Sequence, residues 1–266
     1  MSSPVPTSSG SRRRALVRRP SPRVADGITT HIDRVPVDAD RAVSQWHGYV
    51  GALSDAGWEI IEVPPADDCP DGVFIEDSVV MFGDLAVLTS PGADSRRGEI
   101  ESTAATVRGL GYQTAEITMP GTLDGGDVLK IGSQVYVGRG GRTNAEGVRQ
   151  FRAALAPRGA TVTAVPLTKA LHLKSAITAL PDGTVIGYEP VVDDPAFFPR
   201  FRAMPEEPGA HVVDLGEGRL LISAAAPESA ALIEDLGYTP VPVDISEYEK
   251  LEGCVTCLSV RLRVEA

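Results

Sequence analysis

Apolar and polar positions along the chain fall into two periods that alternate: amphipathic stretches with helical spacing, and short runs with every second or every position apolar. One phrase recurs: an amphipathic helix, then Gly or Gly followed by an aromatic residue, then a short β-branched strand. It reads LSDAGWEIIEV at 53–63, VRGLGYQTAEI at 107–117, LAPRGATVTAV at 155–165 and IEDLGYTPVPV at 233–243, with a weaker copy, PEEPGAHVVDL, at 205–215. Each glycine suits the left-handed position that closes a helix before the chain turns into a strand. Most copies are followed by two apolar runs joined by a tight turn, SVVMF-GD-LAVLT, DVLKI-GS-QVYVG and SAITAL-PDG-TVIGY, which predict β-hairpins. The unit is a helix with about three strands, used five times, with glycines at 57, 111, 159, 209 and 237. Spacings of roughly 50 residues predict a radial repeat rather than a stacked solenoid.

An ordinary α/β sheet, whose αβ units resemble each other because all obey the same local rules, is the plainer alternative. The positions of the chemically reactive residues argue against it. Asp124 and His172 each lie 13 positions beyond their unit's glycine, while Glu76 and Cys257 lie 19 and 20 beyond theirs. If rotation relates the units, these residues converge near the axis.

Composition narrows the function classes. The 266 residues carry a net charge of −11, against the basic face that phosphate-backbone binding requires. No window approaches the ~20 apolar residues of a membrane span, and the N-terminus lacks the apolar stretch of a secretory signal. Neither nucleic acid nor membrane is therefore expected as a partner, and a cytoplasmic location is. Three cysteines, Cys69, Cys254 and Cys257, form no disulfide framework and suit a reducing compartment. The Ser/Pro-rich start reads as a disordered tail over residues 1–13, leaving one domain over 14–266. Arg12, Arg13, Arg14, Arg18 and Arg19 form a local basic cluster there. An acidic surface can draw in a small cation, although solubility explains acidity equally well.

Cys257, in GCVTCLSV, and His172, in ALHLKSAI, both open apolar runs. A thiol near a base is a nucleophile, and imidazole both removes and donates protons near neutrality. A lone Cys or His is more often a buried structural side chain; together they become a pair. Asp124 and Asp127 flank two glycines in TLDGGDVLKI, which supplies either a carboxylate to orient the imidazole or simply a turn. Glu76 and Asp77 lie between apolar residues in PDGVFIEDSVV. Read as a strand, this segment turns at least one of them inward, where a cation must meet it: a guanidinium ligand or a structural arginine. Arg96 and Arg97 in SPGADSRRGE, and Arg142 in GRGGRTNAEG, could clamp a carboxylate, or be solvated. The pair Cys254 and Cys257 lacks the further ligands of a zinc site. CVTCLSVRL also reads as a strand, whereas a redox C-x-x-C opens a helix.

The segments ALVRRP, PDGVFIED, SPGADSRRGE, TLDGGD, GRTNAEG, LHLKS and SEYEKLEGCVTCLS, in this order from about Ala15 to the C-terminus, resemble the dimethylarginine dimethylaminohydrolases of the pentein, or guanidino-group-modifying, superfamily. The resemblance implies a five-bladed α/β propeller of ββαβ-type repeats. It also implies hydrolysis of Nω-methylated L-arginine, as asymmetric dimethylarginine or monomethylarginine, to citrulline and dimethylamine or methylamine through a covalent thiouronium. By the same resemblance Cys257 is the nucleophile, His172 the acid and base, and Asp124 its support, standing where some members have Glu. Asp71, Asp77 and Glu76 would surround the guanidinium, and Arg96 and Arg142 would hold the α-carboxylate. Ile28, on a lid segment DGITTHID, and Leu251 would contact the amino-acid end through their carbonyls. Cys254 matches a position without a catalytic role. No cofactor is implied; zinc could inhibit by occupying Cys257 and His172. The chain would act as a monomer or homodimer on a small molecule. An arginine deiminase acting on unmethylated arginine, which usually carries an added helical insertion, and a non-catalytic pentein-like binding protein are the alternatives.

Overall fold

The computed structural model describes residues 13–262. The tail expected over 1–13 falls outside them except for Arg13, whose guanidinium donates to the Leu215 carbonyl at 2.9 Å.

Five three-stranded sheets share one topology: the middle strand pairs antiparallel with an inner strand and parallel with an outer one. In the second unit these are β3 (Val79–Phe82), β4 (Leu85–Leu88) and β5 (Gln113–Glu116), with α2 (Ile100–Gly109) making the parallel crossover. The third has β6 (Val128–Ile131), β7 (Gln134–Arg139), α3 (Ala145–Leu155) and β8 (Thr161–Pro166). The fourth has β9 (Ile177–Ala179), β10 (Val185–Gly187) and β11 (Phe201–Ala203); the fifth has β12 (Val212–Gly216), β13 (Arg219–Ser223), α4 (Pro227–Asp235) and β14 (Thr239–Val243). The first unit joins the chain's two ends. Its middle strand β1 (Arg14–Val17) is parallel to β2 (Glu59–Glu62) across α1 (Ala39–Asp55), and antiparallel to β15 (Val260–Leu262) from the far end of the sequence. The unit carrying Cys257 is thus completed by residues some 240 positions apart, so the site forms only when the ring of units does.

Each unit is built by the pattern that predicts it. Helix α1 turns Ala42, Gln45, Trp46, Tyr49 and Leu53 inward at helical spacing, and the Asp38 carboxylate caps it by accepting from Arg41 N at 3.0 Å. Gly57, Gly111, Gly159 and Gly237 do stand in the left-handed region, φ +85°, +87°, +74° and +88°. The fifth copy is a correction. Gly209 closes no α-helix; the strand after it, β12, opens the fifth sheet instead of ending the fourth. A side chain at Gly209 would collide with Ser229, so this glycine serves close packing. The fourth unit has no α-helix. Pro190, Pro195 and Pro199 interrupt its crossover, which is built from the 3-10 turns Glu189–Val191 and Pro195–Phe197.

The site is positioned by the segments just before the inner strands. The 3-10 turns Ile75–Ser78, Gly125–Asp127 and Leu173–Ser175 lead into β3, β6 and β9 and pack on one another, while a turn at 254–258 leads towards β15. Two expectations are corrected here. Glu76 and Asp77 lie on a 3-10 turn, not a strand, so adjacency does not send them to opposite faces and both are buried. CVTCLSVRL becomes a strand only at Val260; before it the chain folds back, with Cys257 N bonded to Cys254 O at 3.1 Å. Gly125 packs its Cα against the Glu76 carbonyl so closely that a Cβ there would overlap it. Arg18, assigned by sequence to the basic cluster, is fully buried and donates to the carbonyls of Gly72 and Glu99 at 3.1 and 2.8 Å. No helix among the described residues is long and apolar enough to cross a membrane.

Gly125→Ala should lower stability by about 1–3 kcal/mol because the obstructing atom is backbone that cannot move aside. Gly48→Ala, in open space on α1, should raise it by about 0.5–1 kcal/mol. Chemical denaturation of both variants checks the pair; equal effects would contradict the packing described.

Candidate active site

The packed turns surround a cavity lined by Ile28, Asp71, Asp77, Arg96, Arg142, His172, Leu251 and Cys257, eight of the ten residues singled out from sequence. Asp124 stands behind His172 and Glu76 behind Cys257. Phe74, Leu171, Glu252 and Gly253 complete the wall.

His172, buried, has its Nε2 3.0 Å from Asp124 Oδ2, and its Nδ1 faces Asp77 Oδ1 at 3.9 Å. Asp124 is fixed in turn by Gly92 N at 2.8 Å and lies 3.9 Å from Arg142 Nη1. Asp127, the second carboxylate of TLDGGD, accepts from Thr143 Oγ1 at 2.5 Å and Leu173 N at 3.0 Å, so it anchors the His172 turn and does not reach the cavity. Burial works against a charged imidazole, but Asp77, Asp124 and Asp127 outweigh it and raise His172 to about 9. Burial also opposes ionisation of Asp77, yet His172 and Arg96 hold its carboxyl down at about 2.

Arg96 is the cation for that carboxylate. Its Nη1 donates to Asp77 Oδ2 at 2.5 Å, its Nε and Nη2 grip Glu99 at 2.9 Å each, and Nη2 also reaches the Phe74 carbonyl at 3.0 Å. Sequence left Arg96 open between ligand clamp and solvated loop; in the fold it is 4% exposed, with one Nη1 hydrogen left to face the cavity. Arg142 differs: 3.9 Å from Asp124, its guanidinium has no hydrogen bond among the described residues and lines the cavity. Arg97 sits at the surface, paired with Asp94 at 2.7 Å.

Glu76 lies under the nucleophile turn. Its backbone N–H donates to the Cys257 carbonyl at 3.2 Å, and its carboxylate accepts from Thr256 Oγ1 at 2.9 Å and Lys174 Nζ at 2.5 Å. Burial raises its carboxyl above the usual value, with Lys174 and Arg261 pulling the other way. The Cys257 and Cys254 sulfurs are 3.3 Å apart. That hydrogen bond, with burial and the nearby acids Glu76 and Asp77, pushes the Cys257 thiol up; the same bond pulls Cys254 down.

Across the mouth, Asp71 Oδ1 accepts from Ile28 N at 3.0 Å. The segment carrying Ile28 is held by Glu252, whose carboxylate receives Thr30 N at 2.8 Å and His31 N at 2.5 Å. Glu252 has a left-handed backbone, φ +60°, unusual for a residue with a Cβ. Sequence reasoning passed over Glu99, Lys174, Glu252 and Arg261. Glu99 carries a usable signal, three positions after Arg96 on a turn; the others meet their partners only through the closed ring.

No protein-family model matches the chain. It is 62% identical over 94% of its length to an N(G),N(G)-dimethylarginine dimethylaminohydrolase of Streptomyces coelicolor, covering 97% of that protein. Among solved structures, a dimethylarginine dimethylaminohydrolase variant in an adduct with S-methyl-L-thiocitrulline superposes with a TM-score of 0.89 at 33% identity, covering 95% of this chain and 100% of that one. A cysteine-to-serine variant of the Pseudomonas aeruginosa enzyme complexed with citrulline gives 0.88 at 34%, covering 95% and 99%. By identity sustained over nearly its whole length, and by a pentein fold shared with these structures, the chain belongs to the N(G),N(G)-dimethylarginine dimethylaminohydrolase family.

Proposed function

We propose that the protein hydrolyses Nω-methylated L-arginine, asymmetric dimethylarginine and monomethylarginine, to L-citrulline and the corresponding amine. The observation that carries this reading is a single cavity lined by Cys257, by His172 with its carboxylates, and by both acids and arginines suited to the two ends of a zwitterionic amino acid.

The guanidinium enters between Asp77 and the Glu76 turn, whose negative charge orients it and spreads its own. Asp71 adds its carboxylate to those facing the guanidinium, Arg142 with the spare Arg96 hydrogen takes the α-carboxylate, and the carbonyls of Ile28 and Leu251 line the amino-acid end. A bound cation beside Cys257 offsets the acids that keep its thiol protonated, so the thiolate forms where the electrophile is and the thiol proton passes to solvent. Its sulfur bonds to the guanidinium carbon. His172, charged at neutral pH, passes a proton to the departing dimethylamine as the C–N bond breaks, leaving a thiouronium on Cys257. Neutral His172 then takes a proton from water as its oxygen bonds to the same carbon; the C–S bond breaks, the oxygen's second proton passes to solvent, citrulline leaves and the thiolate returns. Asp124 is a positioning residue that fixes the imidazole throughout.

Cys257, His172 and water make and break every bond, with the remaining protons exchanged with solvent, and we propose no cofactor. Ligand atoms of Asp77, Asp124 and His172 lie within 4.8 Å of one another, and zinc drawn to His172 with Cys257 across the same cavity would inhibit. We also propose one catalytic domain over 14–266, a cytoplasmic location, and action as a monomer or homodimer.

Cys257→Ser should abolish citrulline release from asymmetric dimethylarginine while Cys254→Ser keeps most of it; equal loss in both would sink the mechanism. Glu252→Ala, which frees the segment carrying Ile28, should raise KM more than it lowers kcat in steady-state assays, and the reverse split would remove its role at the mouth. His172, raised from 6.5 to about 9 in the fold, contributes stability that is complete below pH 6.5 and lost as pH rises through 9. The melting temperature should therefore fall over that window, and less steeply in His172→Gln; parallel curves would contradict the charged imidazole.

A further inference from the structure

Cys254 and Cys257 occupy the two ends of a turn closed by the Cys257 N–H to Cys254 carbonyl bond at 3.1 Å, and all three cysteines of the chain are free thiols. Such turns hold their end Cα atoms within about 7 Å, overlapping the ~4.4–6.8 Å that a disulfide spans. The sulfurs already face each other at 3.3 Å. Only Cys257 opens on the cavity; Cys254 lies behind it, beside Thr256 Oγ1 at 3.3 Å. The objection from sequence, that this C-x-x-C lies in a strand, does not hold for a turn that ends before Val260. Cys69 sits against Gly98, on another part of the fold.

We propose that Cys254 and Cys257 are a redox modification site, joined by a hydroperoxide into a reversible disulfide that takes the nucleophile out of action and spares it from irreversible oxidation. As regulation of the active site, this rests on Cys257 being the nucleophile. The Cys257 sulfur attacks one peroxide oxygen as it gives up its proton: an S–O bond forms, the O–O bond breaks, and the leaving hydroxide takes that proton and departs as water. Cys254 sulfur then attacks the Cys257 sulfenic acid; an S–S bond forms, the S–O bond breaks, and hydroxide departs with the Cys254 proton as a second water. Two thiols and one hydroperoxide thus give a disulfide and two waters, or one water and an alcohol if the peroxide is organic. A dithiol entering the cavity meets the Cys257 sulfur first, bonds to it and expels the Cys254 thiolate behind it. The oxidised dithiol then departs and both thiols are restored.

The test uses the full chain, hydrogen peroxide as the probe, and trypsin, which releases Leu251–Arg261 with both cysteines in one peptide. After treatment, acid quenching and alkylation, that peptide should be two hydrogens lighter and unalkylated, with activity lost in proportion and both restored by dithiothreitol. In Cys254→Ser the same dose should carry Cys257 to sulfinic or sulfonic acid, with activity that dithiothreitol does not return to its own starting level. Sulfinic or sulfonic Cys257 beside alkylated Cys254 in the unaltered chain, or a disulfide to Cys69, would overturn the proposal. The lighter peptide with undiminished turnover would support the disulfide and instead remove Cys257 from the catalytic reading.

Discussion

The carboxylate of Asp77, 2% exposed, sits where three units of the ring meet, and the rest of the site is arranged around it. It takes Arg96 from its own unit, the Gly126 N–H from the third unit at 2.7 Å, and faces His172 from the fourth. A buried ion held this way adds little net stability over an apolar replacement, but removing one partner strands the other and costs about 3–5 kcal/mol. Its consequence is positional: Asp77 fixes where the charged imidazole stands relative to the nucleophile turn, and the ring of sheets holds Asp77.

The same carboxylate belongs to a group of buried acids around the cavity that is met by Arg96, Arg142, Lys174 and the charged His172. Asp71, Glu76, Asp77 and Asp124 are all buried; Arg96 spends all but one of its hydrogens on protein contacts, and Lys174 is paired with Glu76. At Cys257 itself the bond to Cys254, burial, and the nearby Glu76 and Asp77 favour the thiol, and a cation placed beside the sulfur works against them. The acidic character of the whole chain, net −11, draws in such a cation over longer range.

The units and the turns carrying Asp124 and His172 were legible in the sequence because the fold repeats, whereas Asp71, Ile28 and Leu251 were reached only through the family resemblance. Four helix-closing glycines set the register of the units, and the offsets of Asp124 and His172 from those glycines placed both on equivalent turns. The failures have local causes. PEEPGAHVVDL copies the glycine phrase by composition alone, since two prolines and a close contact at Gly209, rather than a helix end, determine it. Glu76 and Asp77 read as a strand because apolar residues flank them, yet those residues are buried by packing between turns rather than by sheet pairing. Lys174 as the partner of Glu76, and Glu252 as the anchor of the Ile28 segment, depend on contacts between residues far apart in sequence, which no local pattern encodes.

The central claim is that Cys257 becomes covalently bonded to the guanidinium carbon during turnover, and its most direct test is to catch that bond. Acid quenching of the full chain while it consumes asymmetric dimethylarginine, followed by trypsin and mass spectrometry, should find the substrate-derived thiouronium on Leu251–Arg261, at Cys257. Citrulline accumulating with that peptide never modified at any quench time, or with the adduct on another residue, would contradict it.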